Sequence, residues 1–452
     1  ANGALEPERA ACNGARSGKT DRRFRMTDDA HIELKDVADV RVDRRLASAV
    51  AAEPQDGILQ RAGSFLGLYE RTAGIEENPF SVVVDEMLSP VEAIIAGRHT
   101  TLFGTNSYLG LNFHPDCIQA ASDTVKKYGT GSTASRVAGG NQALHNRLES
   151  FIRDWYGAAD AVVYSTGFMA NLAVVSALAK EGCAVLLDAH CHASLFDACR
   201  LSKAKISTFE HNSAADLERQ LRASDVPGSR TVVIVEGLYS VWGDLCDLKP
   251  LLAAAHRHNA LLVVDEAHSF GLYGAEGRGL CEALGVENEV DVIVGTFSKS
   301  VGVIGGYSVT RHPQLRAMRM MARPYVFTAS LPPAVIASAH TAMGLIREGA
   351  KLRERLWANA RTFHAELAAM GYTMTAEACP VGGVRLPHAR TGFEFWRELL
   401  RRGIYVNILI PPATPGKDTV LRFSLSSAHN PQHIEKGLSV FQSVGKDLGV
   451  IA

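Results

Sequence analysis

The sequence predicts an α/β protein: a mostly parallel, seven-stranded sheet covered by helices on both faces, followed by a smaller C-terminal α/β domain. Three observations predict it. Between Glu149 and Thr310, short runs of β-branched and aliphatic residues recur. Helical patterns such as "AADLERQLRAS" and "DLKPLLAAAHRHN" separate most of them. Polar residues gather where the runs end. Near-continuous apolar strands alternating with helices imply a parallel sheet buried on both sides. Ligands of such sheets sit beyond the carboxyl ends of the strands.

Taken in order, residues 1–50 carry many charges and few large apolar side chains, and read as a disordered leader. From Ile58 to about Asn78, the residues Ile58, Leu59, Ala62, Phe65, Leu66 and Tyr69 recur at helical spacing, so 51–100 is expected to form a helix and an arm. "NPFSVVVDEMLSP" and "TTLFGTNSYLG" read as short extended segments within and just after that arm. Strand candidates follow at 161–164, 183–188, 205–210, 231–236, 261–266, 290–295 and 305–310. One long helical region is expected from Pro333 to about Ala369. The remainder, with "GIYVNILIPPATP" and "TVLRFSLSSAHN", reads as a small α/β unit closed by a helix. The large domain is therefore expected over 101–344 and the small one over 345–452.

Of the 452 residues, 46% are apolar and 21% charged, with 47 basic against 48 acidic side chains and a net charge of −1. This is the balance of a globular enzyme, and it carries no electrostatic footprint for nucleic acid. Eight cysteines are scattered without a CxxC pair, which argues against zinc ribbons and thioredoxin-like redox sites. Cys191 and Cys199 beside His190 and His192 are read as reduced, mostly buried thiols, and no metal is expected.

The chemistry lies at the strand ends. "GTFSKSVG" sets Lys299 among small residues just past an apolar run, with Thr296 and Ser298 beside it. "VVDEAHSFG" places Asp265 at a strand end about one β-α-β unit earlier, with His268 close behind. "VYSTGFMAN" brings Gly167 and Phe168 to a helix start, "CHAS" offers His192, and "VEGLYSVWGD" offers Glu236 and Ser240. Each piece alone is ordinary; the combination is specific. A lysine that forms an imine must be available as a free amine, which a partly desolvated site favours. A pyridine cofactor needs a carboxylate to keep its ring nitrogen protonated. A phosphate handle needs backbone N–H groups at a helix N-terminus, with hydroxyls nearby. A flat ring needs a flat neighbour. Together these point to pyridoxal 5′-phosphate (PLP).

The blocks "NSYLGL", "GTGSTASRVAGG", "STGFMANL", "CHAS", "VEGLYSVWGD", "VDEAHSFGLYGAEGRG" and "GTFSKSVGVIGGY", in this order, resemble the α-oxoamine synthases among the fold-type I PLP enzymes. The resemblance runs from about Asn78 to the C-terminus. It implies that Lys299 holds PLP covalently and later acts as general base, that Asp265 pairs with the pyridinium, and that His268 bonds the ring hydroxyl. His192 would stack on the ring, and Gly167, Phe168, Thr296 and Ser298 would line the phosphate side. Thr328 would reach the phosphate of the neighbouring subunit, since family active sites lie at a homodimer interface. Asn106 and Arg422 would meet the amino-acid carboxylate, with Ser240 and Glu236 in support.

"NPFSVVVDEMLSPVEAIIAG", "RPYVFTASLPP" and "GKDLGVIA" are similar to the branch that condenses L-serine with palmitoyl-CoA to give 3-ketodihydrosphingosine, the first step of sphingolipid synthesis. One departure stands out: Ile410 precedes "PPATP" where that branch is expected to carry an arginine. Asn106 likewise stands where the branch often has an aromatic residue. The resemblance therefore leaves open a sibling reaction on glycine or alanine, or an acyl-carrier-protein donor in place of the acyl-CoA. The location it implies is cytoplasmic, with peripheral contact at the inner membrane compatible with a long-chain acyl substrate.

Overall fold

Strand β1 (Val84–Ser89), β2 (Glu92–Ile95) and β3 (Arg98–Leu102) form an antiparallel meander. Ala96 and Gly97 join β2 to β3 with φ of 49° and 70°, the left-handed pair that a two-residue hairpin turn requires. This computed structural model describes residues 77–411, 413–414 and 418–452, with isolated positions 59, 63 and 66. The expected leader and most of the expected first helix lie outside the described residues.

The large sheet is built from β4 (Asp160–Tyr164), β5 (Ala184–Asp188), β6 (Lys205–Phe209), β7 (Thr231–Glu236), β8 (Leu261–Asp265), β9 (Val292–Thr296) and β10 (Gly306–Thr310). Its order is β4-β10-β9-β8-β7-β5-β6. Six strands run the same way; β10 alone is antiparallel, to both β4 and β9. All seven expected strands are present, displaced by no more than two residues. β4, β5, β7, β9 and β10 are buried along their whole length, whereas edge strand β6 is exposed over its first half. That difference explains why "VVIV" is purely apolar and "KIST" is not: a strand roofed on both faces has no wet side.

Two expectations need correction. The long helix is two helices, Pro333–Glu348 and Ala350–Ala369, parted at Gly349. A Cβ on Gly349 would come within 2.6 Å of the Leu345 carbonyl, so the chain turns where only glycine fits. The C-terminal strands also divide between two sheets. β11 (Val381–Leu386), β13 (Asn407–Leu409) and β14 (Thr419–Ser424) form an antiparallel sheet in the order β11-β14-β13, while the two-residue β12 (Ile404–Tyr405) pairs in parallel with β3. The arm is thereby tied to the C-terminal part of the chain, and all described residues belong to one compact unit.

Candidate active site

Because β4 and β7–β9 point the same way, their carboxyl ends share one edge of the sheet. Gly167, Glu236, Asp265 and Lys299 stand at or just past those four ends. Glu236 and Asp265 are direct cross-strand neighbours. Both are buried. Burial first, and then the adjacent Asp265 carboxylate, push Glu236 well above the usual carboxylate range. A neutral carboxyl is thereby favoured at Glu236, which accepts the backbone N–H of His192.

Asp265 is held at both oxygens. Oδ1 accepts the N–H of Ala267 at 2.9 Å, and Oδ2 accepts from Asn171 Nδ2 at 2.8 Å. The second proton on the same Asn171 nitrogen goes to Ser194 Oγ at 3.0 Å. Ser194 Oγ lies 2.8 Å from His192 Nδ1, which also accepts the Ser194 N–H at 3.2 Å. An Nδ1 that accepts a backbone proton carries none of its own, so the neutral ring is the Nε2–H tautomer. Dehydration lowers the His192 pKa, Asp265 opposes the fall and Lys299 adds to it. The result is a neutral imidazole that caps the Ala193–Ser202 helix and is fixed in orientation by a chain reaching Asp265.

Lys299 lies in this field. Burial lowers its amine to about 8; Asp265 and Glu236 pull it upward and Arg422 downward. His268 is buried, and its Nδ1 lies 2.7 Å from Tyr108 Oη. Burial, with Lys299 and Arg422 nearby, depresses its pKa strongly, so the ring stays neutral. Tyr108 Oη also lies 3.2 Å from Asn106 Oδ1, which accepts from Arg422 Nη2 at 3.3 Å. Arg422 is itself buried, and its Nε donates to the Ser240 carbonyl at 2.7 Å. The guanidinium also acts on the Tyr108 hydroxyl, so Arg422 ties Asn106, Tyr108 and the Ser240 carbonyl together.

The phosphate side is cut to fit. Thr166 caps the Gly167–Leu178 helix through the Met169 N–H, and among the described residues the N–H groups of Gly167 and Phe168 have no hydrogen-bond partner. A Cβ on Gly167 would sit 2.8 Å from Thr296 Cβ and Oγ1. The Thr296 hydroxyl donates to the Gly305 carbonyl at 3.0 Å, so exposed Ser298, 2.9 Å away, holds the hydroxyl best able to reach an anion. A lysine whose pKa burial lowers to about 8, a doubly anchored carboxylate, a neutral imidazole fixed in orientation and open helix-end amides are the donor set that PLP needs, and these residues fit it.

The structure places the other expected residues less directly. Phe168 is exposed, so its backbone is its link to the site. Ser240 contributes its carbonyl; among the described residues its hydroxyl has no hydrogen-bond partner. Thr328 lies in a separate recess with Arg136, Tyr164, Ser165 and Tyr325. Among the described residues no cluster of three or more ligating side chains could hold a metal. Sequence reasoning missed Asn171, Ser194 and Tyr108. Asn171 had a usable signal: it is the one amide in the apolar helix "GFMANLAVVSAL".

The family described as aminotransferase class I and II matches residues 98–441. Serine palmitoyltransferase of Sphingomonas paucimobilis is 42% identical over 424 residues, spanning 93% of this chain and 98% of that enzyme. The 2-amino-3-ketobutyrate coenzyme A ligase of Salmonella typhimurium is 37% identical over 358 residues, spanning 79% and 90%. A high-resolution structure of serine palmitoyltransferase with a PLP internal aldimine superposes with a TM-score of 0.84 at 42% identity, covering 87% of this chain and 100% of that one.

Proposed function

The chain belongs to the aminotransferase class I and II family, and from that premise we propose that it condenses L-serine with a long-chain acyl thioester, palmitoyl-CoA in the favoured case. The products are 3-ketodihydrosphingosine, CO₂ and free thiol, and the step opens sphingolipid synthesis. The fold is that of the fold-type I PLP enzymes, and the chain is an acyltransferase of the α-oxoamine synthase type.

PLP, when bound, supplies a protonated ring that draws electrons from the amino-acid Cα and so makes its bonds breakable. The side chains do the rest. Lys299 would carry the cofactor, and its amine is placed to act as the base toward the amino-acid Cα proton. Asp265 would keep the ring nitrogen charged. His192 would stack on the ring and His268 would bond its hydroxyl. Gly167, Phe168 and Ser298 would receive the phosphate, with Thr296 beside them and Thr328 serving the partner's site in a homodimer. Arg422 and Asn106 would orient the serine carboxylate and so set which bond at the Cα reacts. Residues 101–344 form the cofactor domain in this reading, and 345–452 the small domain that delivers Arg422. The enzyme works in the cytoplasm and meets the inner membrane peripherally to collect its acyl donor; among the described residues no helix is long and apolar enough to cross a membrane.

The observation that carries this reading is the Asp265–Asn171–Ser194–His192 chain beside a lysine whose amine is lowered to about 8. A sibling reaction on glycine or alanine is kept as a second reading by Ile410, which packs against the core and offers no second guanidinium. Product analysis by mass spectrometry, with serine, alanine and glycine against a mixed acyl-CoA pool, tests both. Serine-derived amino ketone with CO₂ and thiol is expected. A glycine or alanine product favours the sibling, and a keto acid without thiol overturns condensation altogether.

A further inference from the structure

A second polar cluster lies outside the site just described. His211 bridges two carboxylates: Nδ1 lies 2.8 Å from Asp188 Oδ1 and Nε2 2.6 Å from Asp244 Oδ2. Asp188 ends β5 and is fully buried; its oxygens also accept the N–H groups of His190 and Asn212. His190 stacks on His211 at 3.9 Å between ring centres, and Tyr239 meets it edge-on at 4.5 Å. Burial opposes a charge on His211, but the two carboxylates outweigh it and raise its pKa to about 9. A salt-bridged cation held at both ring nitrogens is a rigid joint.

What the joint holds is the hairpin from Leu238 to Leu245, which contains Asp244. Leu238 pairs with Leu245, Tyr239 N–H donates to the Asp244 carbonyl at 2.9 Å, and Asn212 Nδ2 donates to the Leu245 carbonyl at 2.8 Å. The far end of the hairpin presses on the C-terminal sheet. The Trp242 carbonyl accepts from Thr375 Oγ1 at 2.7 Å, and Gly243, at φ 76°, has no room for a Cβ beside the Val381 carbonyl. Between these fixed points lies Ser240, whose carbonyl receives Arg422 Nε. The path from His211 to the carboxylate-binding guanidinium therefore runs through Asp244, the hairpin and one backbone oxygen.

We propose that His211 is a positioning residue for the amino-acid carboxylate: clamped between Asp188 and Asp244, it fixes the hairpin that presents the Ser240 carbonyl and so sets the orientation of Arg422. The inference rests on the assignment of Arg422 to the carboxylate in the proposed function. His211→Gln removes the cation, and Asp244→Asn removes one anchor while keeping its shape. Serine titration of each PLP-loaded variant, followed by the change in cofactor absorbance, reads the dissociation constant. We expect it to rise about tenfold in both, with bound PLP and the KM for palmitoyl-CoA unchanged. The decisive arm is the double variant His211→Gln/Arg422→Ala, which should bind serine no more weakly than Arg422→Ala alone. A serine affinity within twofold of the unsubstituted protein, fully additive losses, or unfolding or PLP loss in both single variants would overturn the proposal. If Arg422→Ala itself leaves serine binding intact, the fault lies instead in the parent assignment.

Discussion

Near neutral pH most Lys299 amine in the ligand-free protein is protonated, because burial brings its pKa to about 8 but no lower. Only the free base attacks an aldehyde. The rate of PLP uptake by the ligand-free protein should thus climb as pH rises through about 8 and level off above it; a stopped-flow absorbance series that still climbs steeply at pH 10 would contradict the depressed amine. Gly167 offers a second test at this scale. Alanine there would force its Cβ to 2.8 Å from buried Thr296, and such overpacking costs ~1–3 kcal/mol. We expect Gly167→Ala to weaken PLP retention at least tenfold in equilibrium dialysis while the far-ultraviolet spectrum is unchanged. These residues were legible in the sequence because each ends a strand or opens a helix, where polarity interrupts an apolar run. Asn171 and Ser194 were not singled out, since their value comes from bridging Asp265 to His192, elements far apart in the chain.

Elements were legible where burial on both faces leaves an unbroken apolar signature, as in β7 and β9. They were illegible where pairing is non-local. Nothing in "IY" announces that β12 will join β3 rather than its neighbours in the C-terminal sheet. The same holds for Gly349: apolar residues continue at helical spacing through Leu345, Leu352 and Leu356, so the period alone runs the two helices together. The break is steric, and it can be tested. Gly349→Ala must move the Leu345 carbonyl, 2.6 Å from the added carbon, and should lower stability by ~1–3 kcal/mol in urea unfolding. A stabilised variant would mean that the helices can fuse, as the sequence period suggests.

On the scale of the whole molecule, the catalytic edge of the large sheet borders an apolar surface. The short helices Met318–Met321 and Arg323–Val326 pack on the Gly167–Leu178 helix that opens the phosphate side. Around them Met320 is 77% exposed and Phe327 73%, with Met321, Ile304 and Phe168 also open to solvent. Large apolar side chains gathered beside a site mark a surface that another protein covers. A second copy of the chain is the occupant that the homodimer reading supplies, and Thr328 follows Phe327 directly. The same contacts that hide Phe327 would then carry Thr328 toward the partner's phosphate, so assembly and cofactor retention should fail together. The double variant Met320→Asp/Phe327→Asp places two charges on that face. Sedimentation should show it as a monomer and the unsubstituted chain as a dimer, and dialysis should show PLP lost at least tenfold more readily, the outcome expected when the partner's Thr328 reaches the phosphate. A monomer that keeps PLP as tightly as the dimer would detach Thr328 from the site and leave each subunit complete by itself.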